Sequence, residues 1–353
     1  MRTTKKVDFI IVGQGLAGTS MAMRLLKEGK SILIIDECKP VTASLISSGL
    51  INPITGRRCV KSWMFDELLP EAIQFYRDLE SCLGETFCSP KIILRGLSNA
   101  LEENIWMGQS TKQDYSKYFG NVIASEYYNK HFKNDILFGE VKDSYQVKIS
   151  ALILSARKHF INQKCFLNYK STIDDFTIGR TIIFKDYEAD SVIFAEGWKV
   201  IVHPLFKNLP FEPTKGEVSI ASLESYHLSE AIKNKMYIIP LNDGRFYIGS
   251  TNENNISNDF PNKNKQAELD LFMDEYLNTR YEIKERLTAI RSSTEQRRPI
   301  IGAHPEHNNV FLFNGLGAKG ASLAPYFSKM LTAHILYKYP IIKEVNINYH
   351  NHS

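Results

Sequence analysis

The chain has 353 residues, with 43 lysines and arginines against 39 acids, a net charge of +4 and 43% hydrophobic residues. That length exceeds what one core supports and predicts two domains; so mild a charge does not point to a nucleic-acid-binding protein, though it leaves an RNA substrate open. Five cysteines, Cys38, Cys59, Cys82, Cys88 and Cys165, are an odd number without a C-x-x-C pair, so they read as reduced thiols and not as a disulfide framework or a metal site.

Residues 7–12 (Val-Asp-Phe-Ile-Ile-Val) suit a buried parallel strand and run straight into Gly13-Gln14-Gly15-Leu16-Ala17-Gly18. A helix is expected over 19–26, where Met21, Ala22, Leu25 and Leu26 share a face. The turn would offer free backbone N–H groups and a positive helix end, which is a seat for a diphosphate. A second apolar strand, 31–35, ends in Asp36, eighteen positions past Gly18, where a carboxylate can take the ribose hydroxyls of an adenosine. Strand, turn, helix, strand and acid in that order predict a dinucleotide site; the motif alone does not separate FAD from NAD. Lys5 and Lys6 before an apolar run resemble a secretion signal, but the glycines break that run and the second strand continues the fold. With no other stretch approaching a membrane span, a cytoplasmic location is expected.

Beyond Asp36 and Glu37, the small and hydroxyl residues Ala43, Ser44, Ser47, Ser48 and Gly49 read as a polar surface loop or as a close approach to a phosphate. Arg57, Arg58 and Lys61 read as a solvated basic turn, with a grip on an anionic substrate as the alternative. A packing helix is expected over 66–82. Residues 91–139, rich in aromatics, read as part of an antiparallel sheet in a second domain. A helix follows over 149–162, then strands over 181–184 and 191–195, the second closing on Ala195-Glu196-Gly197 at the edge where ligands sit in open α/β folds. Strands of the second domain are expected at 215–218, 236–241 and 245–250, the last two joined by Asn242-Asp243-Gly244, and a charged helix over 266–286.

A strand over 309–313 leads into Asn314-Gly315-Leu316-Gly317-Ala318-Lys319-Gly320 and a helix over 323–336, with Pro325 placed in its first turn. This second strand, glycine turn and helix start is open to another electron-rich group. His203, His304 and His307 have no metal spacing and read as loop histidines.

Four blocks, GQGLAG with Asp36, the AS…SSGLINP loop, YIIPLNDGRFYIGST, and R…RRPIIG followed by NGLGAKGASLAP, span nearly the whole chain. Together they resemble the D-amino-acid-oxidase-like family of FAD-dependent oxidoreductases, and within it glycine oxidase and the FAD domain of the bifunctional enzymes that finish a modified wobble uridine in tRNA. The resemblance implies an α/β fold: a Rossmann-like FAD-binding domain of the GR2 type, from residues 1–80, 140–205 and 292–353, and a mainly antiparallel β-sheet substrate domain from 81–139 and 206–291. It implies FAD held by Gly13, Gly15, Leu16, Ala17, Gly18, Asp36, Glu37, Ala43, Ser44, Ser48, Gly49, Leu50, Ala195 and Gly197, with Ile173 at the adenine; no cysteine or histidine stands at a defensible tether position, so non-covalent FAD is expected. Gly315, Leu316, Gly317, Ala318, Lys319 and Gly320 would put backbone N–H groups at the pyrimidine edge of the flavin, where negative charge gathers on reduction.

The resemblance also names catalytic candidates. Arg291 lies eight positions before Pro299, where amine oxidases of the family bind the substrate carboxylate. Tyr237 stands where the family places a pocket tyrosine. Glycine-oxidase-like members carry arginine at the position of Ala318, whereas the tRNA-modifying members have a small residue there and a basic one at Lys319. The expected activity is oxidation of an amine or amino-acid C–N bond by hydride transfer to flavin, with oxygen or another electron acceptor as second partner. The rivals are a tRNA-directed oxidase acting on a carboxymethylaminomethyl-uridine, with Arg57, Arg58, Lys61 and Lys319 around a wide mouth, and a non-catalytic flavoprotein.

Overall fold

The computed structural model describes residues 4–350, except 125, 135, 225, 227, 255 and 257. Strand β1 (Lys5–Val12) enters the first glycine turn, α1 (Leu16–Lys27) leaves it, and β2 (Ile32–Asp36) returns parallel to β1. Next come α2 (Phe65–Leu83), β3 (Ile93–Leu97), α3 (Ala100–Ser110), β4 (Phe119–Ile123) and β5 (Leu137–Val141). Then follow α4 (Ile149–Asn162), β6 (Phe166–Asn168), β7 (Phe176–Ile178), β8 (Ile182–Phe184) and β9 (Tyr187–Phe194). The remainder is β10 (Thr214–Leu223), β11 (Ala231–Lys233), β12 (Tyr237–Pro240), β13 (Phe246–Gly249), α5 (Lys263–Tyr276), β14 (Tyr281–Arg291), β15 (Ile300–His304), β16 (His307–Asn314) and α6 (Gly320–Tyr337).

Two eight-stranded sheets carry the fold. In the first, β6, β2, β1 and β9 run parallel in that order, and β9 then serves two neighbours. Its early residues pair antiparallel with β8, while Val192 to Phe194 pair parallel with Val310 to Leu312 of β16. Strand alternation sorts side chains to opposite faces. Phe9 and Ile11 enter the core shared with α1, α2, α4 and α6, whereas Ile10 and Val12 pack with Phe184, Phe194 and Phe206 on the other face.

The second sheet has the order β14-β10-β13-β12-β11-β3-β5-β4, antiparallel except for β11 beside β3. Ile232, Ile238 and Ile248 pack under α5 on one face. Tyr237, Ile239 and Tyr247 point the other way, toward the core of the first sheet.

Three expectations are corrected. Within 91–139, residues 100–110 form α3 and not a strand, because Asn99 accepts from the Glu102 amide at 3.0 Å and the Glu102 carboxylate returns to the Ser98 amide at 2.8 Å, a reciprocal cap that starts a helix. The charged helix stops at Tyr276 and β14 begins at Tyr281, since the ten-residue β10 needs a partner along its whole length. Pro325 is not in the first turn: α6 starts at Gly320, so the missing Pro325 N–H orphans the carbonyl of Ala321. The hydroxyl of Tyr76, fully buried on α2, donates to that carbonyl at 2.7 Å.

Candidate functional site

The register puts Ile35, Val12, Phe194 and Leu312 side by side across β2, β1, β9 and β16. The chain leaves these strands at one edge, so both glycine turns open the same way, two strands or roughly 10 Å apart. One cavity of about 550 Å³ takes in the first turn, the end of β2, the second turn and the inner face of the second sheet.

The first turn admits no side chains where glycine stands. Gly13 has φ +95°, and a Cβ there would lie 2.5 Å from the Ala195 carbonyl oxygen; one on Gly18 would lie 1.8 Å from the Gly13 oxygen. The Leu16 amide donates to Ser44 Oγ at 3.1 Å, which seats the serine loop against the helix start. The Gly15 and Ala17 amides, among the described residues, have no protein acceptor, and both residues line the cavity. Asp36 accepts from the Gln14 amide at 2.7 Å and the Cys38 amide at 2.7 Å, and Arg157 of α4 stands 3.5 Å from it. Arg157 also donates to Gln14 Oε1 at 2.6 Å, and Gln14 Nε2 donates to the Ile153 carbonyl at 3.0 Å, so α4 braces the turn from outside. Glu37 pairs with Lys199. Lys39 and Asp259 meet across the rim at 3.8 Å.

Glu196, behind the third strand end, is pushed up to about 7 by burial, with Glu37 adding to the effect and Lys199 opposing it. Its carboxylate lies 3.6 Å from His203, which burial holds down at about 4, with the charge of His304 adding to it. At the second turn Asn314 donates to the Gly197 carbonyl at 2.8 Å and accepts from the Gly315 amide at 2.9 Å, tying the two strand ends together. The Gly317 amide is taken by the Ser292 carbonyl at 2.9 Å. The Leu316 and Ala318 amides, among the described residues, have no protein acceptor and face the cavity.

At the far end Arg291 closes β14. Its Nη1 donates to Ser250 Oγ at 3.0 Å and its Nη2 to the Thr251 carbonyl at 3.2 Å and to Asn252 Oδ1 at 3.0 Å, while Nε is buried without a partner. Among the described residues no carboxylate pairs with it, and burial lowers its pKa. The Tyr237 hydroxyl accepts from Asn52 Nδ2 at 3.0 Å, and Tyr247 is pushed up to about 12 by burial. Lys233 lines the same end.

Of the expected cofactor residues, Gly13, Gly15, Leu16, Ala17, Asp36, Glu37, Ala43, Ser44, Ser48, Ala195, Gly197, Leu316, Gly317, Ala318 and Gly320 line the cavity, as do Arg291 and Tyr237. Gly18, Gly49, Leu50, Gly315 and Lys319 do not: Gly18 and Gly315 shape the turns, and Gly49 and Leu50 pack beside residues 145–147. Ile173 does not line the cavity either: its side chain packs against the second core, and the cavity wall beyond Asp36 is Tyr169, Lys170 and Ser171. β6 pairs with β2 only as far as Asn168, opposite Asp36, so residues 169–171 follow directly at that end of the cavity. Arg157, Glu196, Lys233, Asn52 and Tyr247 escaped the sequence reading because each depends on which strand or helix lies alongside.

Arg57 and Arg58 are exposed and line no part of the cavity. Lys61 pairs with Asp66 at 2.6 Å, and Lys319 Nζ lies 3.3 Å from Ser62 Oγ. Contrary to the sequence reading, His304 and His307 face each other across the β15–β16 hairpin, and their ligand atoms lie within 4.8 Å of one another and of Glu306. That group stands away from the cavity.

A family model for FAD dependent oxidoreductases matches residues 8–334. The chain belongs to this family. An uncharacterized oxidoreductase, YurR, of Bacillus subtilis is 23% identical over 94% of this chain and 95% of its own length. The tRNA 5-methylaminomethyl-2-thiouridine biosynthesis bifunctional protein MnmC of Acinetobacter baylyi is 22% identical over 93% of the chain, which spans 52% of that protein. Among solved structures, glycine oxidase from Bacillus cereus aligns with TM-score 0.80 at 19% identity, covering 95% of this chain and 96% of the other. Iminodiacetate oxidase from Chelativorans sp. BNC1 aligns with TM-score 0.76 at 19% identity, covering 94% and 96%.

As an FAD-dependent oxidoreductase, the chain fits its cofactor. Two close-packed glycine turns with open amides face one cavity, as a long diphosphate-linked group requires. No helix among the described residues is long and apolar enough to cross a membrane.

Proposed function

We propose that the chain oxidises the C–N bond of an amine that carries a carboxylate, and that the product imine is hydrolysed by water. The observation that carries this reading is Arg291: a half-buried guanidinium, without a carboxylate of its own among the described residues, on the wall of the cavity that takes in both glycine turns. A partly desolvated cation without a counter-charge is costly, which supports an anion as its partner. Bound FAD would supply the acceptor for the substrate's hydride.

The chain's own residues supply position. Ser250, Thr251 and Asn252 take three of the five N–H donors of Arg291 and so fix its guanidinium, leaving an Nη1 N–H and the positive charge for a carboxylate. Tyr237 and Tyr247 wall the pocket with rings, which keeps water from the reacting carbon. The Leu316 and Ala318 amides and the start of α6 favour negative charge beside the second turn. Amine oxidation of this kind needs the neutral amine and an electron sink more than a base. FAD is held without a covalent bond in this reading: no cysteine or histidine lines the cavity among the described residues.

The test is an anaerobic screen of amines and amino acids with the flavoprotein, followed by bleaching of the flavin. Reduction by carboxylate-bearing amines and not by their esters or amides is expected. A protein that holds FAD but is bleached by none of them would leave a non-catalytic flavoprotein. The tRNA-directed reading loses ground here, because its basic residues Arg57, Arg58 and Lys61 stand off the cavity wall.

A further inference from the structure

Lys233 is, beside Arg291, a cation at the far end of this cavity, and the amine-oxidase reading gives it no task. It is the last residue of β11, opposite Arg95 of β3 on one side and Tyr237 of β12 on the other. Alternation sends Ile232 under α5 and Lys233 to the cavity. Its ammonium sits 4.7 Å from the centre of the Tyr237 ring and donates to the Lys235 carbonyl at 2.8 Å. An ammonium has three donors, so the site is not saturated. Burial, with the charge of Arg95 adding to it, lowers its pKa to about 8. No carboxylate pairs with it among the described residues. One pocket wall thus carries two under-compensated cations on different strands.

The register brings them to one wall. Lys233 pairs with Tyr237, Tyr237 pairs with Gly249, and the residue after Gly249 is Ser250, which holds the Arg291 fork. Two strand spacings make roughly 10 Å between the Lys233 and Gly249 backbones. In an N-carboxymethyl amino acid four bonds, roughly 5 Å, separate the two carboxylate carbons, so one such diacid fits within that span. A carboxylate arriving at Lys233 would also restore its charged form, since a nearby opposite charge favours ionisation.

We propose that Lys233 determines specificity by holding a second anionic group, so that the substrate is an amino dicarboxylate of the N-carboxymethyl type, one carboxylate on Arg291, the other on Lys233 and the amine between them. This rests on the amine-oxidase reading for the chemistry, but not for the binding.

The test uses the FAD-loaded protein and an unreactive pair of probes, thiodiacetate with two carboxylates and (methylthio)acetate with one, titrated by calorimetry and by the flavin absorbance change. Wild type should bind the diacid at least tenfold more tightly than the monoacid. Lys233→Met, which keeps the apolar stem, should bring that ratio near one, and Lys233→Arg should restore it in part. Anaerobic reduction by iminodiacetate should likewise outpace reduction by N-methylglycine, through a lower KM. Equal binding of the two probes by wild type, or a Lys233→Met protein that keeps the preference with FAD bound, would overturn the proposal. A Lys233-dependent preference in a protein that no amine reduces would support the second anion site and overturn the oxidase reading.

Discussion

Gly18 shows what a single residue decides. A methyl group there would sit 1.8 Å from the Gly13 oxygen, so helix and strand could not keep their distance. Gly18→Ala should cost about 1–3 kcal/mol of stability and lower the flavin content of purified protein, read from the ratio of visible to ultraviolet absorbance. Arg291→Met should slow anaerobic flavin reduction by a carboxylate-bearing amine about a hundredfold, because the reacting carbon loses its anchor. Glu196 gives a pH test. Its folded pKa of about 7 lies above the ordinary 4.5, so the folded state binds its proton more tightly and Glu196 withdraws stability as pH rises from about 4.5 to 7. His203 does the reverse: held at about 4 against 6.5, it adds stability as pH rises across that window. The flavin-free Glu196→Gln protein should therefore gain in melting temperature on flavin-free wild type between about pH 4.5 and 7; a gap that narrows would contradict this assignment. The glycines and Asp36 were legible in the sequence because their chemistry is local. Lys233, Tyr247 and Arg157 were not, since a strand or helix residue shows its target only when its neighbours are placed.

The elements repeat that division. α4 was read to the residue, because its apolar spacing and its ends are written in its own segment. α5 was drawn too long, since the charged stretch after Tyr276 suits either state and only pairing with β10 makes it a strand. α6 hides its dependence on another helix. The carbonyl of Ala321 has no helical donor and takes the Tyr76 hydroxyl of α2. Tyr76→Phe should thus cost about 1–3 kcal/mol, the penalty of a buried acceptor left bare, seen as a lower denaturant midpoint with an unchanged slope. Replacing Pro325 with alanine in that variant should recover part of the loss, because the helix then supplies its own N–H.

At the scale of the molecule, parallel strands bring distant segments to one edge, and the second sheet closes over what they hold. The match of residues 8–334 to one family model, with aligned structures covering nearly the whole chain, fits motifs that were visible at both ends of the sequence. The cavity's shape was not visible, since it depends on how the second sheet lies against the first. Ligand binding to the folded state alone makes stability depend on free FAD: at a hundredfold excess over its dissociation constant the gain is about 2.7 kcal/mol. The loaded protein should melt higher than the stripped one by a margin that grows with added FAD. Acid precipitation should leave the polypeptide white and the yellow colour in the supernatant.

β16 lies beside β9, more than a hundred residues earlier in the chain, and the turn that follows it completes the cavity that the first turn opens onto. A growing polypeptide therefore leaves the ribosome with its first glycine loop already made and nothing to grip with it. Only when the stretch through Gly320 has emerged and slotted in beside Tyr187–Phe194 does the prosthetic group meet both of its handholds. Capture of the flavin should thus come late in biosynthesis, and a chain cut short before residue 307 should emerge colourless however well its early strands have formed.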